Sequence, residues 1–88
     1  MNLVFAKHLD DKNAKGYLFE VPERMKFTAG FIVRVETKRG DKLAECVSDT
    51  FSIENEQAVR ILVKEVGGTF PLKRVIGIYP LQKIIYDN

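Results

Sequence analysis

The sequence predicts a mainly β (α+β) domain, built as a small antiparallel barrel with one helix in the C-terminal half. Three observations support this fold class: short segments with alternating apolar residues, turn signals roughly every 8 to 12 residues, and one stretch with helical spacing. The 88 residues are enough for one domain and too few for two. We therefore expect residues 1–88 to form a single small-barrel domain.

The clearest strand signal lies at residues 31–37, where apolar and charged residues alternate. Phe31, Val33 and Val35 are predicted to share its buried face. The segment 42–49 is predicted to pair with it antiparallel, with Leu43 and Val47 facing the core. The charged tip Lys38-Arg39-Gly40-Asp41 joins the two strands, and Gly40 is expected to take the positive φ that the reversal needs.

The remaining elements are predicted from the same kinds of pattern. Further strands are expected at 2–9 and 17–21, a helix at about 54–66, and an apolar C-terminal segment at 70–86. Ser52 or Asn55 is expected to cap the helix, and Gly67-Gly68 to end it. The buried stripe of the helix is predicted to be Ala58, Val59, Leu62, Val63 and Val66.

Within the apolar C-terminal segment, an extended stretch is expected at 74–79, followed by a last strand or hydrophobic strap at 81–86. Strands in short succession with a single helix favour an SH3-like barrel, and an OB-like barrel is the alternative. Both architectures commonly bind partners on an open strand face or a loop rim.

Composition and charge restrict the classes of function. Fourteen basic and twelve acidic residues leave a net charge of only +2, which argues against an indiscriminate polyanion binder. The single cysteine, Cys46, excludes an intramolecular disulfide and suits a reducing compartment. We expect neither an export signal nor a membrane-spanning segment, and predict a cytoplasmic protein with no membrane partner.

The hairpin and the strand before it carry a resemblance to known proteins. An extended Y-x-F strand and a glycine precede a V-x-V-E-T-x-R-G hairpin, and the residues concerned are Tyr17, Phe19, Gly30, Val33, Val35, Glu36, Thr37, Arg39 and Gly40. This stretch looks like the small barrel of short uncharacterised proteins from Gram-positive bacteria and their mobile elements. It also resembles the N-terminal region of RicT-type bacterial factors. The resemblance implies a small barrel in a bacterial cytoplasm that assembles with a partner.

No group of residues predicts catalysis, metal binding or a cofactor. RicT-type factors carry an iron–sulfur cluster on several cysteines, which one cysteine cannot reproduce. His8 is read as a surface or strand-end histidine, and Cys46 as a small buried hydrophobe beside Glu45. One histidine and one cysteine fall short of the four ligands of a structural zinc site. We predict that the protein is not an enzyme and needs no metal or cofactor.

Two binding roles remain, and protein–protein contact is the preferred one. The apolar C-terminal segment is expected in the first place to close the barrel. The protein interface is predicted in the same segment as the alternative, and its residues are Ile78, Tyr79, Leu81, Ile84, Ile85 and Tyr86. The predicted role is that of a non-enzymatic binding or assembly module that contacts a protein partner or a second copy of itself.

The alternative role is binding of RNA or single-stranded DNA through the basic hairpin at 34–42. Its predicted phosphate contacts are Arg34, Lys38, Arg39, Lys42, Lys73 and Arg74. Tyr17, Phe27 and Tyr79 are candidates for stacking on bases. Against this role, Glu36, Asp41 and Glu45 on the same hairpin offset its charge, as expected of a merely solubilising turn.

Overall fold

The computed structural model describes residues 1–10, 15–68 and 70–78. Within these residues the chain forms six strands and one helix. In chain order they are β1 (Asn2–His8), β2 (Tyr17–Val21), β3 (Ile32–Val35), β4 (Lys42–Cys46), β5 (Phe51–Ser52), α1 (Glu56–Glu65) and β6 (Val75–Ile78). No helix among the described residues is long and apolar enough to cross a membrane.

The strands form one antiparallel sheet that curls into a half-barrel. Its order is β2-β1-β4-β3-β6, and the short strand β5 pairs with the start of β1. The segment just before β6 reaches both β2 and β3: the Glu20 N–H donates to the Lys73 carbonyl and the Glu36 N–H to the Arg74 carbonyl, each at 2.9 Å. The two outer strands of the sheet therefore meet at this end. The predicted small barrel with a single helix is confirmed.

The sheet buries side chains on both of its faces. One cluster fills the barrel interior and consists of Val4, Ala6, Phe19, Val21, Phe27, Val33, Val35, Ala44, Cys46 and Val75. A second cluster lies between the sheet and α1, and its fully buried members are Leu3, Leu18, Val59 and Val63. Because successive side chains of a strand point to opposite faces, β1 supplies Val4 to the first cluster and Leu3 to the second.

The hairpin of β3 and β4 forms as predicted, but the buried face of β4 is the other one. Val33 lies opposite Ala44, and Val35 lies opposite Lys42. Residues directly opposite each other in an antiparallel pair share a face, so Ala44 and Cys46 enter the barrel interior beside Val33. The prediction of Leu43 and Val47 as core residues is therefore wrong: Leu43 is half-buried and Val47 is 46% exposed.

The helix begins and ends at residues with the expected chemistry. Of the two candidate caps, Asn55 is the one used: its side-chain oxygen accepts from the N–H of Gln57 at 2.8 Å and of Ala58 at 3.3 Å. Gly67 has a φ of +75°, in agreement with the predicted stop. Val59 and Val63 are buried, as predicted, but Val66 is 39% exposed because it follows the last helical residue, Glu65, and leaves the packed face.

The last described strand, β6, confirms the extended segment predicted in the apolar C-terminal part and is shorter than expected. A bulge interrupts its pairing with β3 between the pairs Arg34–Gly77 and Val35–Val75. The predicted strand or strap at 81–86 lies outside the described residues. The same holds for five of the six predicted interface residues: Tyr79, Leu81, Ile84, Ile85 and Tyr86.

Candidate functional site

A cleft of about 560 Å³ opens at the end of the barrel where the hairpin tip and the segment before β6 come together. One wall comes from the ends of the strands and the hairpin tip, and the other from the end of α1 and the residues that follow it. The described residues that line the cleft are His8, Asp10, Tyr17, Leu18, Phe19, Thr37, Lys38, Arg39, Lys42, Val66, Gly67, Gly68, Pro71, Leu72 and Lys73.

Five of the lining residues form a ring that continues the interior face of the barrel. Three of them lie in strands, two positions from a buried interior residue, and therefore share its inward direction. The other two, Thr37 and Lys73, lie just outside β3 and β6 and line the same cleft. This mouth ring consists of His8 after Ala6, Tyr17 before Phe19, Thr37 after Val35, Lys42 before Ala44, and Lys73 before Val75. The cleft is therefore the mouth of the barrel.

The turn at the hairpin tip holds two further cations at the rim. The Gly40 N–H donates to the Thr37 carbonyl at 3.2 Å, and Gly40 has the predicted positive φ, +100°. The Thr37 hydroxyl accepts from the Arg39 N–H at 3.2 Å and donates to the Gly40 carbonyl. Lys38 and Arg39 are the two central residues of this turn, so its main-chain bonds fix where their side chains leave the chain.

The charge of the cleft is strongly positive, unlike that of the whole hairpin. Lys38, Arg39, Lys42 and Lys73 line it, with Asp10 as the single carboxylate among its described residues, which leaves a net +3 with His8 neutral. The Lys42 Nζ lies 3.9 Å from an Asp10 oxygen, and both side chains are well exposed. None of the acids Glu36, Asp41 and Glu45 belongs to the described lining. Asp41 borders the neighbouring depression together with Asp10 and Lys42, so it still offsets part of the charge beside Lys42. The residues that line the cleft itself carry the net positive charge.

Three aromatic rings, those of His8, Tyr17 and Phe19, lie next to one another in the cleft. The ring of Tyr17 is centred 5.7 Å from that of His8, and the His8 ring meets Phe19 edge-on at 6.0 Å and 88°. Phe19 belongs to the buried barrel cluster, whereas Tyr17 is 47% exposed. The three rings therefore connect the solvent at the mouth with the core.

The structure divides the six predicted phosphate contacts into two groups. Lys38, Arg39, Lys42 and Lys73 meet at the cleft, although the hairpin and Lys73 are far apart in the sequence. Arg34 and Arg74 are exposed but do not belong to the described lining. In β3 Arg34 alternates with the buried Val33 and Val35 and therefore points away from the interior.

The three candidate stacking residues do not lie together either. Tyr17 lies in the cleft, Phe27 is buried in the barrel cluster and offers no face to a ligand, and Tyr79 lies outside the described residues. His8 and Thr37 were not predicted to belong to a binding site. The signal that finds them is the continuation of the two-residue alternation past the last buried position of β1 and β3.

Of the two residues considered for catalysis, His8 lines the cleft and Cys46 is buried in the barrel cluster. Cys46 is 1% exposed, and this burial, together with the charge of Glu45, raises the pKa of its thiol to about 11. The thiol therefore stays protonated near neutral pH, where a nucleophile would need the thiolate. Among residues 1–10, 15–68 and 70–78, no three His, Cys, Asp or Glu side chains gather as metal ligands.

Comparisons with known proteins returned no match: no protein-family model, no curated protein and no solved structure is detectably similar to the chain. The resemblance to small Gram-positive barrels and to RicT-type factors stays a prediction that rests on the residues of the hairpin.

Proposed function

We propose that this protein binds single-stranded RNA or DNA at the mouth of its barrel. One observation carries the proposal: Lys38, Arg39, Lys42 and Lys73 line a single cleft from which the acids of the hairpin are absent among the described residues. Cations that converge in this way attract the phosphates of a nucleic acid and release its counterions. The chain as a whole has a net charge of only +2, so the attraction is local to the cleft.

The arrangement of the cations supports recognition of the phosphate backbone of a nucleic acid more than recognition of its base sequence. The cations sit on the rim, where Lys38 and Arg39 are exposed and keep their hydration until a phosphate replaces it. Lys42 is the weakest of the four as a phosphate contact, because Asp10 already offsets its charge. We therefore expect modest affinity, a strong dependence on salt, and little preference for one base sequence over another.

The double variant Lys38→Ala/Arg39→Ala tests the proposal. Affinity for a fluorescein-labelled oligonucleotide of mixed sequence is measured by fluorescence anisotropy at several salt concentrations. For single strands, log K falls with log salt by about 0.7 for each phosphate contact, so losing two contacts lowers the slope by about 1.4. We expect this flatter slope together with weaker binding at low salt.

The matched control is Arg24→Ala/Lys26→Ala, which removes the same charge beyond the opposite end of β2 from Tyr17. Neither residue belongs to the described lining of the cleft, so the control is expected to bind with the slope of the unaltered protein. Failure of the unaltered protein to bind any oligonucleotide at low salt would sink the proposal. An equal loss of affinity in both double variants would show that binding comes from charge attraction over the whole surface and not from the cleft.

Protein–protein contact is the second candidate, and the exposure of β6 favours it. Ile76 and Ile78 are both more than a third exposed, and Ile78 is where the predicted interface begins. Light scattering over a range of concentrations measures self-association directly. We expect Ile76→Thr/Ile78→Thr to lower the average mass if β6 is the interface, while Ile61→Thr on the exposed side of α1 leaves it unchanged. If the measured mass is that of one chain at every concentration, the protein does not self-associate.

We propose a non-enzymatic binding module with an SH3-like barrel that acts in a bacterial cytoplasm. The buried, protonated Cys46 thiol is compatible with such a reducing compartment, and the open strand ends at the mouth are where small barrels commonly bind.

A further inference from the structure

We infer that the mouth seats one unpaired nucleobase against Tyr17, so that the ligand is a strand with accessible bases and not a duplex. This inference rests on the proposed function and extends it, because phosphate attraction alone would not distinguish a single strand from a double one. It assigns Tyr17 as the stacking platform and leaves the phosphates to the cations of the rim.

The first support is the way in which Tyr17 is held. Its ring packs against His8, the His8 ring packs edge-on against Phe19, and Phe19 is part of the barrel core. A side chain supported in this way loses little further freedom when a ligand stacks on it. At the same time 47% of Tyr17 is exposed, so the ring has surface left for a base. Stacking of bases on such aromatic platforms is how proteins bind single strands without a sequence preference.

The second support is the mixed character of the cleft walls. Part of the cleft wall is apolar, and Leu18, Val66, Pro71 and Leu72 belong to it. A site for a small inorganic anion has no use for such a wall, whereas a nucleotide has an apolar base joined to a charged phosphate. Two cations share the mouth ring with Tyr17, and one of them, Lys42, lies 3.9 Å from an Asp10 oxygen. Lys73 is therefore the cation that we assign to the phosphate of the stacked nucleotide.

The third support is the size and shape of the cleft. Its volume of about 560 Å³ lies within the range of ~300–1,000 Å³ that is typical of small-molecule sites. Such a cleft suits a unit the size of a nucleotide rather than a helix. In a duplex the bases are stacked inside and paired, and extracting one has a cost that a single strand does not pay. The inference therefore predicts a preference for single strands.

The experiment compares three ligands of matched length on the full chain: a single strand, the same strand without bases, and a duplex. We expect the unaltered protein to bind the single strand about 10-fold more tightly than the abasic strand. Tyr17→Ala should remove this difference and leave the abasic strand bound as before. Tyr17→Phe, which keeps the ring, should keep most of the difference.

A second readout does not depend on affinity. The chain has no tryptophan, so Tyr17→Trp introduces a single indole at the mouth. Its emission should be quenched by the single strand, through stacking, and much less by the abasic strand at equal saturation. Circular dichroism establishes that each variant is folded, and the unaltered protein decides the question by itself if Tyr17→Ala does not fold.

The outcomes separate the inference from the proposed function. If the unaltered protein binds single and abasic strands equally, with its salt slope intact, stacking is overturned and phosphate binding stands. Tighter binding of the duplex than of the single strand overturns the inference as well. If no nucleic acid binds at low salt, both the inference and the proposed function fail.

Discussion

At the scale of single residues, Cys46 illustrates how burial fixes the chemistry of a side chain. It lies at the end of β4, on the face that points into the barrel, and only 1% of it is exposed. Ionising the thiol there would place a charge in the apolar interior, close to the negative charge of Glu45, so its pKa rises from 9.0 to about 11. The residue therefore behaves as a small apolar side chain, and its titration affects the stability of the protein only in alkaline solution, where it lowers it.

The stability of the protein should fall between pH 9 and pH 11 because of this thiol. In the unfolded chain it ionises near pH 9, whereas in the folded protein it keeps its proton until about pH 11. The raised pKa means that full stability is present below pH 9 and is lost as the pH rises to 11. The extra loss, compared with Cys46→Ala, is expected to be on the order of 2 kcal/mol.

Urea denaturation of both proteins at pH 8, 9, 10 and 11 measures this difference. The alanine variant is the control because it lacks the thiol and keeps every other titratable group of the chain. The cavity left by Cys46→Ala lowers its stability by a constant amount, which the comparison across pH removes. Parallel curves for the two proteins would show that the thiol ionises as easily when folded.

At the scale of elements, the stability of α1 depends largely on the cap at its first turn. Its side-chain ion pair, Glu56–Arg60 at 3.2 Å, is exposed and therefore contributes little. The Asn55 side chain satisfies the N–H groups of Gln57 and Ala58, which have no partner inside the helix. With only Val59 and Val63 fully buried, the helix depends on this cap more than a helix with a broad apolar face would.

Replacing the cap should therefore destabilise the protein measurably. We expect Asn55→Ala to lower the free energy of unfolding by about 1 kcal/mol, because two N–H groups lose their acceptor. Asn55→Asp keeps an acceptor oxygen and should restore most of this loss. Ser52→Ala is the matched control at the other candidate cap. Ser52 is exposed and lies in β5, so its loss should cost less than about 0.5 kcal/mol.

Thermal unfolding followed by circular dichroism gives the three values. If Ser52→Ala costs as much as Asn55→Ala, the helix does not begin where the hydrogen bonds of Asn55 indicate. If Asn55→Asp is as unstable as Asn55→Ala, the acceptor oxygen is not what stabilises the first turn.

Sequence reasoning succeeded where the physical cause is local. The turn at Gly40 and the stop at Gly67 follow from the conformations that glycine permits, and the strand alternation at Val33 and Val35 follows from the pleat. The burial of Ala44 and Cys46 in place of Leu43 and Val47 could not be predicted in this way. It depends on the register between β3 and β4, and a shift of one residue exchanges the two faces of a strand.

At the scale of the whole molecule, neither the second buried cluster nor the mouth of the barrel could be predicted from the sequence, because both depend on how separate elements pack together. Leu18 is buried because α1 covers the outer face of the sheet, which its own strand does not reveal. The cations of the mouth were predicted from charge alone. Their position in one cleft with Tyr17 and His8 follows only from how the strand ends meet in the barrel.

The meeting of β2 with the segment before β6 has a consequence for the order of folding. The bond from the Glu20 N–H to the Lys73 carbonyl joins residues 53 positions apart, whereas the β3–β4 hairpin and α1 involve only near neighbours. Closing a long loop costs entropy before its contacts repay it, so we expect the hairpin and helix to form early and this junction late. Lys73 then reaches the mouth only in the completed native state. A ligand that binds there and not to partly folded states would stabilise the native state by RT ln(1 + L/Kd), where L is the free ligand concentration, so the midpoint of global unfolding would keep rising with ligand concentration after the site is saturated.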